Sequence, residues 1–324
     1  MSASVGVGPG SPDARPVGDV RFLWSMEPAY EVAIVGGGPA GLAAALVLGR
    51  MRRRVLVLDA DNPAHAVSDG VYGFFGHDGI PPGELRRIGR EQLRPYESVT
   101  VRMSAAEHAA VTAGGFSVRA AGTTIEAGVL LLCLGLRYEL PQLEGLAALW
   151  SHGVYHCPYC HGWEVRDRPL AAYGTEAASL ALLLTSLSDD IVLLTDGSSD
   201  LDPDEATLLR SAGVLVRSDR IARVEPEGGR LARIVFADGS ADDRAAIFLV
   251  PTVAPSPLIR ELGCEVDQSG QIVTDADGRT SVAGVFAAGD TTTDRKAVVL
   301  AAAAGSRAAY VINAALARGL LPPH

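Results

Sequence analysis

The chain has 324 residues, 48% of them apolar, and a formal net charge of −10. That length supports two domains with ample core, and the acidic balance argues against nucleic acid or an anionic membrane as partner, since both would be repelled. No unbroken apolar run of about eighteen residues occurs, so no membrane span is expected.

The first 27 residues are rich in Gly, Pro, Ser and Asp and lack a basic start followed by an apolar stretch. They predict a disordered arm rather than a secretion leader, and with it a cytoplasmic location. Glu31-Val32-Ala33-Ile34-Val35 predicts a buried parallel strand. Gly36-Gly37-Gly38-Pro39-Ala40-Gly41 follows, then an Ala/Leu-rich helix to about Met51 and a strand Val55–Leu58 that ends at Asp59. In this pattern the first glycine makes the turn, Gly38 admits a pyrophosphate to the backbone, and Gly41 lets helix pack on strand. Asp59 stands where a carboxylate would hold a ribose hydroxyl. The turn alone does not separate FAD from NAD.

Short strands with glycine turns occupy about 99–135 and close at Val129–Leu132. A second strand–turn–helix–strand unit runs from Pro169–Ala172 through a helix at about 176–187 to Ile191–Leu194 and Asp196. More short strands fill 214–250, and the last part carries Gly284–Ala287, Gly289-Asp290 and an Ala-rich helix from about Lys296 to Ala317. One unit present twice, about 135 residues apart, predicts an α/β chain of two Rossmann-like, doubly wound, three-layer domains. The expected boundaries place a discontinuous first domain at 28–151 and 252–324, with the second, 152–251, inserted into it.

The four cysteines are Cys133, Cys157, Cys160 and Cys264. Cys157-x-x-Cys160 allows a small disulfide ring that opens and closes reversibly. A c-type haem site would require export, and a zinc site a second ligand pair, so no metal is expected. A reducing compartment favours a working pair over a structural bridge.

Thr280-Ser281-Val282-Ala283-Gly284-Val285-Phe286-Ala287-Ala288-Gly289-Asp290 resembles the second FAD signature of the low-molecular-weight thioredoxin reductase superfamily. The resemblance covers nearly the whole chain after residue 28. It implies FAD, with Asp290 on the ribityl chain and Gly135 also at the cofactor. Lys296, Ala297 and Val298 stand where the family usually has Arg-Gln-Ala near the flavin edge. It further implies that Cys160 faces the flavin, that Cys157 exchanges with substrate, and that the chain forms a homodimer. Cys157-Pro158-Tyr159-Cys160-His161-Gly162 resembles the natural-product dithiol oxidases of the gliotoxin and holomycin type, with His161 where thioredoxin reductases carry Asp. His161 or His156 is the candidate acid/base, because imidazole exchanges protons with thiols near neutral pH. Each also has a purely structural reading. Tyr155, Tyr159 and Trp163 read as local packing ahead of a floor for a flat substrate.

The second nucleotide turn departs from the family. Ala172 replaces its first glycine, and Thr195-Asp196-Gly197 replaces the His-Arg-Arg that grips a 2′-phosphate. Asp200, Asp202, Asp204 and Glu205 add repulsion. NAD(P) is therefore doubtful, although Asp196 leaves weak NADH binding open. The expected partners are a small-molecule dithiol and O2. The competing expectations are a thioredoxin reductase fed by NADPH or a ferredoxin, and a non-catalytic flavin sensor.

Overall fold

The computed structural model describes residues 29–198, 200–293 and 295–321; the N-terminal arm expected over 1–27 lies outside them. In chain order, β1 (Tyr30–Val35), α1 (Pro39–Arg50), β2 (Val55–Leu58), α2 (Pro82–Leu93), β3 (Val99–Arg102), β4 (Ala106–Thr112), β5 (Gly115–Ala120) and β6 (Thr123–Leu132) come first. β7 (Arg137–Glu139), β8 (Val154–Tyr155), α3 (Pro158–His161), β9 (Leu170–Tyr173), α4 (Ala178–Leu184), β10 (Ile191–Leu194), α5 (Pro203–Ser211) and β11 (Leu215–Arg217) follow. The remainder is β12 (Ile221–Glu227), β13 (Arg230–Phe236), β14 (Ala241–Asp243), β15 (Ala246–Leu249), β16 (Thr252–Ala254), α6 (Pro257–Leu262), β17 (Val285–Ala287) and α7 (Val298–Ala317).

The first sheet has the order β3-β2-β1-β6-β5-β4, and β17 pairs with β6, so the chain returns to it after leaving for about 150 residues. β3, β2, β1, β6 and β17 are parallel; β2, β17 and the inner ends of β1 and β6 are buried apolar runs because helices or loops cover both faces, while the edge strand β3 carries Thr100 and an exposed Arg102. Alternation along β1 sends Val32 and Ile34 toward α1 and α7, and Ala33 and Val35 toward α6 and the β4–β5 hairpin. Burying one such leucine or isoleucine contributes about 2 kcal/mol.

The second sheet has the order β11-β10-β9-β15-β8, all parallel. α4 and α5 cover one face and the β12–β13–β14 ribbon the other, giving the second three-layer unit. β7 and β16 pair antiparallel and form the ribbon by which the chain enters and leaves this unit. Leu146 and Leu149 precede residue 151 in the chain yet sit in the core of the second sheet. We propose that the two units meet at the β7–β16 ribbon.

By length and composition α7 is the one described helix apolar enough to cross a bilayer; Ser306, Arg307 and Asn313 break its apolar run. Its Ala301, Gly305, Ala308, Ala309 and Ile312 are buried in the core against α1. A Cβ on Gly305 would stand 2.0 Å from the Ala40 carbonyl oxygen, so the two helices cross backbone to backbone. The acidic run after β10 has a local role. Asp202 caps α5 by accepting from the Asp204 and Glu205 amides at 2.8 and 3.2 Å, with Pro203 at the first helical position.

Candidate active site

The first glycine turn builds a groove at the C-terminal ends of the parallel strands. Gly36 adopts φ +115°, and a Cβ there would lie 1.9 Å from the Cys133 carbonyl oxygen. A Cβ on Gly41 would lie 1.9 Å from the Gly36 carbonyl, so that glycine permits the close approach of α1 to β1. Gly38 differs from both: its φ is −80°, and a Cβ there meets nothing within 4 Å. Pro39 opens α1 at N1, where its missing N–H is harmless, and Ala40 follows it. Asp59 is 6% exposed; its Oδ1 accepts from the Asp61 amide, while its buried Oδ2 has no hydrogen-bond partner. Arg90 Nη1 lies 3.5 Å from that oxygen. Gly37, which sequence reasoning passed over, is needed here: a Cβ would stand 2.3 Å from Asp59 Oδ2.

A cavity of about 540 Å³ continues from this turn, lined among others by Gly36, Gly135, Tyr138, Trp150 and Thr291. Gly135 has φ +62° and open space where a Cβ would be. Gly289 (φ +84°) passes against Ala40, with 2.9 Å from its would-be Cβ to the Ala40 Cβ. Asp290 is half-buried, and burial pushes its carboxyl above the ordinary range while Lys296 opposes the rise. Lys296 Nζ donates to the Asp290 carbonyl at 3.3 Å and to the Thr293 carbonyl. Ala297 caps α7 and Val298 opens it. A buried carboxylate with one oxygen lacking a hydrogen bond, an open Gly38 and a helix N-terminus beside it fit a dinucleotide with its ribose on Asp59 and its pyrophosphate at Gly38.

Cys157 and Cys160 form a disulfide with Cα atoms 5.3 Å apart. Cys157 caps the single turn of α3 in an extended conformation, and Pro158 starts that turn. The Cys160 and His161 amides both donate to the Cys157 carbonyl at 3.2 Å. His161 stacks on buried Tyr155, with ring centroids 4.6 Å apart and planes at 14°. Its Nε2 lies 3.0 Å from Ser68 Oγ, while its buried Nδ1 has no partner. His156 stacks on Trp150 at 5.5 Å and approaches the Tyr138 hydroxyl at 3.3 Å through Nε2. Burial above all lowers both imidazoles to about 4, so both rings are neutral at neutral pH. His161, Lys296 and His65 also depress His156, and burial and Asp290 push the Tyr138 hydroxyl up. Ser68 joins the disulfide segment to the 60–70 loop through His161, Tyr138 meets His156, and Tyr138 and Thr291 line one cavity beside the Asp290 turn.

Acid should therefore weaken the fold. The folded pKa of each ring lies below the unfolded value of about 6.5, so between about pH 4 and 6.5 the unfolded chain binds more protons and stability rises with pH. Urea midpoints over that window check this. His156→Phe and His161→Phe should each flatten the slope; an unchanged slope in both would show that the rings are not held neutral.

The remaining expected residues fall elsewhere. Cys133 and Cys264 are buried apart from the disulfide: Cys133 lies behind Gly36, and Cys264 lies at 3.8 Å from Thr280 Oγ1. Burial pushes the Cys133 thiol up to about 12. Tyr155 is packed inside, whereas Tyr159 and Trp163 face solvent, with Arg166 3.8 Å above the Trp163 ring. At the second turn, Asp196 Oδ1 accepts from the Ile221 amide at 2.7 Å and Oδ2 from the Tyr173 hydroxyl at 3.0 Å. The Glu176 carboxylate folds back over Gly174, 2.3 Å from a would-be Cβ. Among the described residues, no group of three or more His, Cys, Asp or Glu stands together to hold a metal.

Sequence reasoning missed Tyr138, Trp150, Arg230 and Gly305, none of which carries a local motif, and gave no role to Glu176 inside the second glycine turn. Arg230 reaches Asp69, 161 residues away, at 2.7 Å, and only the folded chain shows that pairing.

The model of the family described as pyridine nucleotide-disulphide oxidoreductase matches residues 30–308. Thioredoxin reductase sirT of Leptosphaeria maculans is 28% identical over 306 residues, covering 88% of this chain and 93% of its own. Thioredoxin reductase tcpT of Claviceps purpurea is 30% identical over 276 residues, covering 80% and 86%. Among solved structures, HlmI is 36% identical with a TM-score of 0.85, covering 90% of this chain and 93% of that one. A putative thioredoxin reductase TrxB from Bacillus anthracis is 32% identical with a TM-score of 0.84, covering 90% and 99%. The protein is an FAD-binding oxidoreductase with a redox-active cysteine pair. Glycine turn, buried acid, second FAD signature and disulfide together place the chain in the pyridine nucleotide-disulphide oxidoreductase family.

Proposed function

We propose that the enzyme oxidises a small-molecule dithiol to its disulfide, with Cys157–Cys160 as the exchanging pair and O2 as the final acceptor. The observation that carries this reading is the closure of the second nucleotide turn. Both oxygens of Asp196 are engaged within the protein, and Glu176 places a negative charge over Gly174, where a phosphate would otherwise approach. Electrons then enter from sulfur rather than from a nicotinamide. The Cys-Pro-Tyr-Cys-His segment supports the same direction through its resemblance to dithiol oxidases. A homodimer and a cytoplasmic location belong to the same reading.

A thiolate of the substrate attacks Cys157 Sγ, the Cys157–Cys160 bond breaks, and Cys160 leaves as thiolate. The second substrate sulfur attacks the substrate sulfur of this mixed disulfide, releasing Cys157 and the oxidised product. Two electrons now rest on the protein dithiol, and two protons have left the substrate. Neutral His161 accepts one of these at Nδ1 and water takes the other, and the two are recovered when O2 is reduced to H2O2. Gly36, Gly38, Gly41, Asp59 and the Asp290 turn would hold FAD, which would supply the two-electron acceptor between the protein dithiol and O2.

The names of the relatives favour a second reading, a disulfide reductase fed by NADPH or a ferredoxin. Anaerobic mixing separates the two. Excess small dithiol should bleach the yellow holoenzyme within seconds, and readmitted air should yield one H2O2 per flavin. NADPH should leave the colour unchanged. Rapid bleaching by NADPH, with none by dithiols, would hand the case to the reductase.

A further inference from the structure

We propose that Ser68 is a positioning residue that sets the tautomer of His161, leaving Nδ1 as the nitrogen that accepts a thiol proton. The inference rests on the His161 role proposed above. Ser68 is buried, and its Oγ touches two groups: the Gly70 carbonyl at 2.8 Å and His161 Nε2 at 3.0 Å. A carbonyl only accepts, and a hydroxyl has one proton. Given to Gly70, that proton leaves the Ser68 lone pairs to accept, so His161 must donate from Nε2–H. Given instead to His161, it would strip the buried Gly70 carbonyl of this donor, at the cost of an unsatisfied polar group. The first arrangement satisfies Ser68, Gly70 and Nε2 together.

The other ring nitrogen completes the case. His161 Nδ1 is buried and has no hydrogen-bond partner. In the Nε2–H form it carries a bare lone pair. The oxidised pair has no S–H to offer it; opening of the disulfide, or arrival of a thiol substrate, creates one. Transfer breaks the S–H bond and forms Nδ1–H, leaving a thiolate and an imidazolium that still donates from Nε2 to Ser68. The sulfur that leaves in the exchange is a thiolate; it takes the proton back, breaking Nδ1–H and forming S–H, and the ring returns to its neutral Nε2–H form.

The surroundings keep the ring ready for this step. Tyr155 stacks on one face and Tyr72 meets the ring edge-on at 6.2 Å. Asp69 is the charged group that raises His161, and it pairs with Arg230 at 2.7 Å. His156 is the neighbouring imidazole, itself neutral. Burial outweighs these charges, so the lone pair stays free through neutral pH.

The test uses holoenzyme carrying ¹⁵N-labelled histidine. His161 is identified among the seven histidines as the signal lost in His161→Phe. Long-range ¹⁵N–¹H spectra of the wild type should show the Nε2–H tautomer. Ser68→Ala should shift the ring toward Nδ1–H and slow anaerobic reduction by dithiol roughly tenfold, the worth of one hydrogen bond. Ser68→Thr, which keeps the hydroxyl, should restore both readouts. A wild-type ring in the Nδ1–H form would overturn the proposal, as would Ser68→Ala with unchanged tautomer and rate. A His161→Phe enzyme as fast as wild type would remove His161 from the mechanism itself. A slow His161→Phe beside a fast Ser68→Ala would sink Ser68 alone.

Discussion

Cys160→Ser and Cys157→Ser are each expected to reduce dithiol-driven turnover by about a thousandfold or more while leaving the protein folded and yellow. The loss is large because exchange needs a sulfur at both ends of the bond that breaks. A serine hydroxyl neither forms the disulfide nor leaves as a stable anion near neutral pH. The fold should tolerate the change. The turn of α3 is held by backbone bonds, from Cys160 and His161 to the Cys157 carbonyl at 3.2 Å and from Gly162 to the Pro158 carbonyl at 2.7 Å. None of these uses a sulfur. The bridge closes a loop only three residues apart in sequence, so it restrains the unfolded chain little. Anaerobic stopped-flow absorbance reads the rate and a thermal melt reads the fold. Either variant keeping a tenth of wild-type turnover would show that the electrons bypass this pair.

The two variants also separate the roles of the sulfurs. With Cys157 intact and Cys160 replaced, an exchanging thiol remains on the surface side of the proposed mechanism. That variant should still form a stable mixed disulfide with a dithiol analogue bearing one activated sulfur, visible as an added mass. Cys157→Ser should not.

How much of this was legible in the sequence follows how local each feature is. The turn from Gly36 to Gly41 and the acid at Asp59 lie within one strand–helix–strand stretch, so spacing alone exposes them. The Cys157–Cys160 pair is equally local. The recurrence of a strand–helix–strand unit likewise exposes two sheets with parallel centres, though not the antiparallel β4–β5 hairpin that extends the first. What spacing does not carry is pairing across the fold. His161 meets Ser68 across 93 residues, and His156 is boxed by Tyr138 and Trp150. The spacing of Asp196 leaves weak NADH binding open, whereas both its oxygens are tied within the fold, to Tyr173 on the neighbouring strand and to the Ile221 amide. The helix expected over 176–187 opens as a 3-10 turn at Thr175–Ala177 and gives only Ala178–Leu184 as α-helix. Thr185 and Ser186 end it by donating their hydroxyls to the Leu182 and Leu183 carbonyls. The acidic run at 200–205, read as phosphate repulsion, also serves as the cap of α5.

Gly38→Val is expected to give a folded but colourless protein, with FAD affinity weakened at least about a hundredfold and the melting temperature of the apoprotein within roughly 2 °C of wild type. The contrast with its neighbours makes the experiment sharp. Gly36 and Gly41 cannot accept a side chain for reasons internal to the fold, since each would drive a Cβ to 1.9 Å from a carbonyl oxygen. Their replacement would confound folding with binding. Gly38 has φ −80° and ψ −173°, a conformation open to any residue, and beyond its two chain neighbours no atom lies within 4 Å of a would-be Cβ. The chain has no structural need for glycine there. The space is therefore explained by what approaches the first amides of α1, and a valine would fill it. Melting of apoprotein and flavin titration by fluorescence quenching read the two effects separately. Apoprotein destabilised by several kcal/mol would reassign Gly38 to folding. Unimpaired flavin binding would move the pyrophosphate away from this turn, and with it the reason for Asp59 Oδ2 to stand buried with the Arg90 ion pair at 3.5 Å but no hydrogen bond.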